Sequence, residues 1–143
     1  MISDPCDHLV TYFERLTPES LAQLDQHYTA DAYFKDPFNE VHDLAGIRAI
    51  FAHMFVALEA PRFAVTERIV QGPQCFLVWD FHFRMRRYQP GQTQTIRGGS
   101  HLRFAADGRV SYHRDYWDAA EELYEKLPGV GALMRWLKRR ATS

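Results

Sequence analysis

Only two cysteines occur in 143 residues, Cys6 and Cys75, and they form no C-x-x-C pair. Zinc-knuckle and thioredoxin-type chemistry therefore have no framework here. A disulfide between the two is open on sequence grounds, while Cys75, set in an apolar run, also reads as a small buried hydrophobe. Seven histidines are present, yet no H-E-x-x-H or H-x-H pattern appears. No apolar run approaches the roughly 18–20 residues that a membrane span needs. The opening MISDPCDHLV has no basic segment followed by an apolar one, so it is not read as a signal peptide, and the expected location is the cytoplasm. Charge of one sign is also missing. Lys and Arg total 17 against 18 Asp and Glu, a net charge of -1, which gives no field to recruit nucleic acid or an anionic membrane.

What is present is a globular composition, 46% hydrophobic, 24% charged and 14% aromatic, which excludes disorder and low-complexity polymers. A chain of this length buries roughly two thirds of its unfolded surface. One domain over residues 1–143 is expected, with a core at about 5–118 and a helical extension at 119–140. Leu9, Tyr12, Phe13 and Leu16 recur at helical spacing and predict a helix from Pro5 to Leu16. Thr17 as N-cap, Pro18 at the first position and Glu19 beside it predict a second helix, running to about Tyr28. A short strand, Ala32 to Asp36, stops at Pro37. Asp43 opens a third helix whose apolar stripe runs from Leu44 to Leu58, ended by Pro61.

Beyond Pro61 the period changes to two. Residues 63–70, 75–85, 93–104 and 109–117 read as four long strands joined through Gly72-Pro73, Pro90-Gly91 and Asp107-Gly108. Trp79, Phe81, Phe83 and Met85 share one face, opposite Asp80, His82, Arg84 and Arg86, as in an antiparallel sheet with one apolar side. A helical segment at 118–127 breaks at Pro128-Gly129 and resumes over 130–140. There Arg135, Lys138, Arg139 and Arg140 alternate with Leu133, Met134, Trp136 and Leu137, either a solvated face over a docking stripe or a basic amphipathic helix. The class is α+β.

The stretch Tyr28-Thr-Ala-Asp-Ala-Tyr-Phe-Lys-Asp36-Pro37-Phe38, then Gly46-Ile47, and the late strands Gly99–Phe104 and Gly108–Trp117 resemble the nuclear transport factor 2-like superfamily. The resemblance covers about residues 5–118 and reaches the ketosteroid isomerases and the SnoaL-type polyketide cyclases. It implies a cone-shaped, strongly curved antiparallel sheet wrapped around the N-terminal helices. It also implies a homodimer through the outer sheet face, where Asp80, His82, Arg84 and Arg86 offer a polar surface. No cofactor is implied, and the expected partner is a hydrophobic small molecule. In ketosteroid isomerase a first-helix tyrosine and an Asp-Pro carry the proton chemistry, and both align here without a gap, as Tyr12 and Asp36-Pro37. That enzyme's second oxyanion donor, a protonated aspartic acid, is matched by Ser100. SnoaL-type cyclases place an acid/base aspartate on a late strand, and Asp115 is its counterpart. If parity follows the family, His113, Asp115 and Trp117 point inward, and Tyr112, Arg114 and Tyr116 outward.

Each candidate has a plainer alternative. Asp36 is a desolvated base, or it caps the Pro37 turn through backbone amides. Asp115 orients His113 for proton transfer, or it is a buried ion pair holding the sheet together. Tyr12 donates to an oxyanion, or it is core with its hydroxyl at the rim. Trp117, Trp79, Phe34 and Phe83 line a cavity for a flat hydrophobic ligand, or they simply pack. A metal set of His113, Asp115 and His101 fails on parity, since placing Ser100 inward turns His101 outward. The function expected is proton abstraction next to a carbonyl, by an isomerase or cyclase without a cofactor. The alternative is a non-catalytic ligand-binding or dimeric interaction domain.

Overall fold

The computed structural model describes residues 4–87 and 90–122, together with the single positions 136 and 139. Helix α1 spans Pro5–Glu14, with the Asp4 carboxylate accepting from the Cys6 amide at its start. It buries Leu9, Tyr12 and Phe13, as the spacing predicts. Thr17 and Ser20 then cap each other. The Ser20 amide donates to Thr17 Oγ1 at 3.0 Å, and the Thr17 amide donates to Ser20 Oγ at 2.9 Å. The next element is a 3₁₀ helix, Glu19–Gln26, rather than the predicted α-helix, and Tyr28 begins a strand instead of ending a helix. The reason is tertiary: the Val110 amide donates to the His27 carbonyl at 2.7 Å and draws the chain into the sheet.

Strand β1 covers Tyr28–Lys35, β2 is the short Glu40–Val41, and α2 covers Leu44–Ala57. Asp43 caps α2 as predicted, accepting from the Gly46 amide at 2.7 Å. Strand β3 runs over Leu58–Gln71, so α2 ends before Pro61, and the proline sits inside a strand. It is tolerated because the ladder is interrupted between Glu59 and Arg62, beside Ala60 at φ 49. The helix end is closed by Arg86, whose guanidinium donates to the carbonyls of Phe55, Val56 and Leu58 at 3.3, 2.9 and 3.2 Å. Arg86 thus serves α2, beyond the end of its strand, rather than a polar face of the sheet.

Strands β4 (Gln74–Met85), β5 (Thr93–Phe104) and β6 (Val110–Tyr116) match the predicted spans closely. The six strands form one curved, unclosed sheet in the order β2-β1-β6-β5-β4-β3, antiparallel except where β1 meets β6. Strict alternation along β4 buries Cys75, Leu77, Trp79, Phe81 and Phe83 on the concave side. Helices α1 and α2 pack there, with Phe13 and Phe51 of the helices against Phe34 and Phe63 of the sheet. The convex side carries Tyr33 stacked on Tyr112 at 5.2 Å, with Arg103 over the Tyr112 ring. A short helix α3, Ala119–Glu122, starts the predicted C-terminal segment. The rest of that segment and the predicted basic helix lie outside the described residues, apart from Trp136 and Arg139.

Cys6 and Cys75 are both buried free thiols in the core. Burial pushes Cys6 up and Cys75 up to about 12, far from thiolate formation at neutral pH. Neither thiol is expected to react with iodoacetamide in the native protein at pH 7, and both react once it is unfolded. Native-state alkylation read by mass spectrometry checks this, and rapid labelling of either cysteine would contradict it.

Candidate active site

Alternation along β6 decides which side chains look into the cone. Tyr112, Arg114 and Tyr116 engage Tyr33, Arg103 and one another on the convex side, and His113 and Asp115 turn the other way. The register then supplies their neighbours. Ser100 of β5 lies opposite Asp115, and Phe34 of β1 lies beside His113. Trp79 of β4 pairs with Gly98, so its indole crosses β5 where no Cβ stands in the way. A Cβ built on Gly98 would lie 2.6 Å from the Trp79 ring. The glycine thus allows the indole nitrogen to reach Ser100, two residues on.

The result is a hydrogen-bonded chain with Asp115 at its centre. Trp79 Nε1 donates to Ser100 Oγ at 2.9 Å, and Ser100 Oγ donates to Asp115 Oδ1 at 2.5 Å. From the other side His113 Nε2 lies 2.6 Å from the same Oδ1, and Tyr28 Oη lies 2.6 Å from His113 Nδ1. The proton positions come from the donor count. Indole N–H can only donate, so the Ser100 proton is left for the carboxylate. Burial, with the negative charge of Asp115 nearby, holds the Tyr28 phenol well above its ordinary value, and among the described residues its hydroxyl meets no acceptor but Nδ1, so its proton is placed there. With Nδ1 accepting, the ring proton is placed on Nε2, aimed at Asp115.

Both donors converge on Oδ1, and among the described residues none reaches Oδ2. The Asp115 side chain keeps 15% of its exposure where the His113 side chain keeps 3%. Phe13 and Phe34 pack on the imidazole with ring centroids at 5.7 and 4.7 Å, an apolar setting that strengthens each of these bonds. The carboxylate bridges the hydroxyl and the imidazole, and no hydrogen bond joins His113 to Ser100 directly. The order is not that of a serine nucleophile with a histidine base. What it can do is hold a carboxylate with one fixed oxygen and one open oxygen, the requirement for a proton acceptor. Ser100→Ala would leave the Trp79 N–H buried without its acceptor. It is expected to lower the unfolding free energy by about 1–3 kcal/mol in urea titrations, and an unchanged midpoint would refute the network.

The other predicted residues are distributed unevenly. Asp36 comes just after β1, where its Oδ1 accepts from the Phe38 and Asn39 amides at 2.8 and 2.7 Å and its carboxylate also takes the Asn39 side chain. That is the turn-capping alternative. Asp36 nonetheless lines the same cleft as Asp115 and Trp117, an opening of about 460 Å³ that also takes in Lys35 and Arg114. Trp117 is half-buried, its ring edge-on to Phe38 at 5.5 Å. Tyr12 is buried against His27 with ring centroids 3.9 Å apart, and its hydroxyl donates to the Ser20 carbonyl at 2.8 Å. Burial pushes its phenol up, and its proton is committed away from Asp115. Phe34 and Phe83 are core side chains, Phe83 stacked on Phe81. His101 lies across the sheet, bonded to Gln74 at 3.0 Å and facing Tyr112. Among the described residues no three His, Cys, Asp or Glu side chains gather as metal ligands. Tyr28 and Gly98 also belong to this arrangement, although the sequence assigns neither of them to a site. The Gly98-Gly99 pair inside a strand is a visible signal, whereas nothing in the spacing links Tyr28 to a histidine 85 residues away.

The profile of the SnoaL-like domain family matches residues 9–113. No curated protein sequence matches the chain significantly. Among solved structures, a Catenulispora acidiphila protein with a ketosteroid isomerase-like fold, in complex with trimethylamine, superposes with a TM-score of 0.69 at 13% identity, over 86% of this chain and 92% of that one. A putative SnoaL-like polyketide cyclase from Shewanella putrefaciens gives 0.69 at 18% identity, over 86% and 98%. TerC, co-crystallised with polyporic acid, gives 0.68 at 19% identity, over 83% and 95%. At these identities the likeness is one of fold.

Proposed function

The chain belongs to the SnoaL-like domain family, and on that footing we propose that it removes a proton next to a carbonyl of a hydrophobic small molecule, with Asp115 as the base. One observation carries this reading: Oδ1 of Asp115 holds two hydrogen bonds while Oδ2 has none among the described residues. The fixed oxygen sets the direction of the open one, and the substrate's proton goes to Oδ2. The protons of Ser100, His113 and Tyr12 are already committed, so they do not serve as oxyanion donors in this arrangement. Lys35 and Arg114 also border the cleft, but they lie on the opposite face of their strands from Asp115, with the Arg114 guanidinium over Tyr116, so neither is assigned to an enolate. Trp117 offers the flat apolar wall.

The test uses 2-tetralone, a flat bicyclic ketone with acidic α-hydrogens. Exchange of those hydrogens in deuterated buffer is followed by proton NMR with the protein in catalytic amount. Exchange above the buffer rate is expected, and none at all would remove the base assignment. The second reading, a ligand-binding domain without catalysis, is favoured by the absence of a free oxyanion donor among Tyr12, Ser100 and His113. Saturable binding of 2-tetralone with no exchange would establish it.

A further inference from the structure

The chain of hydrogen bonds that ends at Asp115 starts at a residue on another strand. Tyr28 is the first residue of β1, fully buried, placed before the interruption in register that separates it from Tyr33. Its hydroxyl is the partner of His113 Nδ1 at 2.6 Å. The flanks of that imidazole are apolar, from Phe13 and Phe34. The Nδ1 end of the ring therefore has one polar contact among the described residues.

We infer that Tyr28 is a positioning residue of the site: its hydroxyl proton, given to His113 Nδ1, holds the imidazole neutral with Nε2–H on Asp115 Oδ1 and keeps Oδ2 the open atom. The inference rests on the reading of Asp115 as the base. The alternative arrangement, an imidazolium donating from both nitrogens, makes Tyr28 the acceptor. Its own hydroxyl proton would then be buried with nowhere to go. The Tyr28 phenol, held protonated by burial and by the charge of Asp115, weighs against that arrangement. The distinction matters for chemistry, because an imidazolium beside the carboxylate would favour its charged form and weaken it as a base. A neutral donor fixes Oδ1 with a smaller effect of that kind.

The readout is the imidazole itself, in protein labelled with ¹⁵N-histidine. In the unmodified protein the His113 Nδ1 resonance is expected at the position of an unprotonated, hydrogen-bonded nitrogen, and Nε2 carries a slowly exchanging proton. In Tyr28→Phe, Nδ1 shifts toward the non-bonded position and the Nε2 proton exchanges faster. The kcat for 2-tetralone exchange falls about tenfold at unchanged KM, the scale of one hydrogen bond. Phe34→Leu, which loosens packing on the same ring without touching Nδ1, leaves the Nδ1 resonance in place. A protonated Nδ1 in the unmodified protein overturns the inference without any variant, so a Tyr28→Phe protein that fails to fold does not shield it. His113 resonances unmoved in a folded Tyr28→Phe overturn it too. If the spectra are as expected but the unmodified protein exchanges nothing, it is the base reading of Asp115 that falls. Tyr28 would then order a binding site rather than a catalytic one.

Discussion

Asp115→Asn is expected to lower 2-tetralone exchange by about 10²- to 10⁴-fold, the range associated with a positioned acid or base. The substitution separates the two oxygens of the carboxylate. An asparagine carbonyl oxygen can take the place of Oδ1 and accept from both Ser100 and His113, so the buried chain keeps its acceptor. The amide nitrogen then stands where Oδ2 was, and it has no lone pair to receive a proton. Stability should therefore change by only about 1 kcal/mol, the scale of exchanging a charged acceptor for a neutral one. Binding of 2-tetralone, measured by fluorescence titration, should persist. Exchange at the unmodified rate in Asp115→Asn would remove Asp115 from the chemistry. Loss of exchange together with loss of fold would instead mark the carboxylate as structural.

Gly98→Ala is expected to destabilise the protein by about 3 kcal/mol, at the upper end for an added methyl in a packed interior. The new Cβ would lie 2.6 Å from the Trp79 ring, 2.9 Å from the Tyr116 carbonyl oxygen and 3.0 Å from the Trp117 Cβ. None of these neighbours is the loose end of a flexible side chain. The carbonyl belongs to the sheet, and the indole is rigid and buried. The indole is the group that gives most readily, and moving it breaks its bond to Ser100. Urea unfolding reads the loss of stability, and near-ultraviolet circular dichroism reads the displaced tryptophan. A variant within about 0.5 kcal/mol of the unmodified protein, the ordinary range for an innocuous surface change, would show that the crossing is not tight.

How much of this was legible in the sequence can be judged strand by strand. The alternation of Cys75, Leu77, Trp79, Phe81 and Phe83 is a property of neighbouring residues, and β4 buries that face. The capping of α2 by Asp43 is equally local and was legible for the same reason. The parity of β6, which puts His113 and Asp115 on one side, also comes from a period of two. Pro61 misled because its effect depends on the partner strand, whose ladder is interrupted where the proline lies. Arg86, assigned by parity to a polar face, is taken by the carbonyls at the end of α2, 28 to 31 residues earlier.

The candidate site divides in the same way. By itself the sequence determined the α+β class, the four late strands and the shared face of His113 and Asp115, because each depends on neighbours within a few residues, while the inward side of β6 and the two aspartates worth testing came from the family resemblance. Tertiary structure alone gave those aspartates different surroundings. It closed Asp36 into a turn with Phe38 and Asn39, and it gave Asp115 two donors on one oxygen and, among the described residues, none on the other. It also brought Tyr28 to His113 and laid Trp79 over Gly98. Periodicity reports which face a side chain takes. Which atoms meet across that face depends on strand order and register, and these are set by the packing of the whole chain.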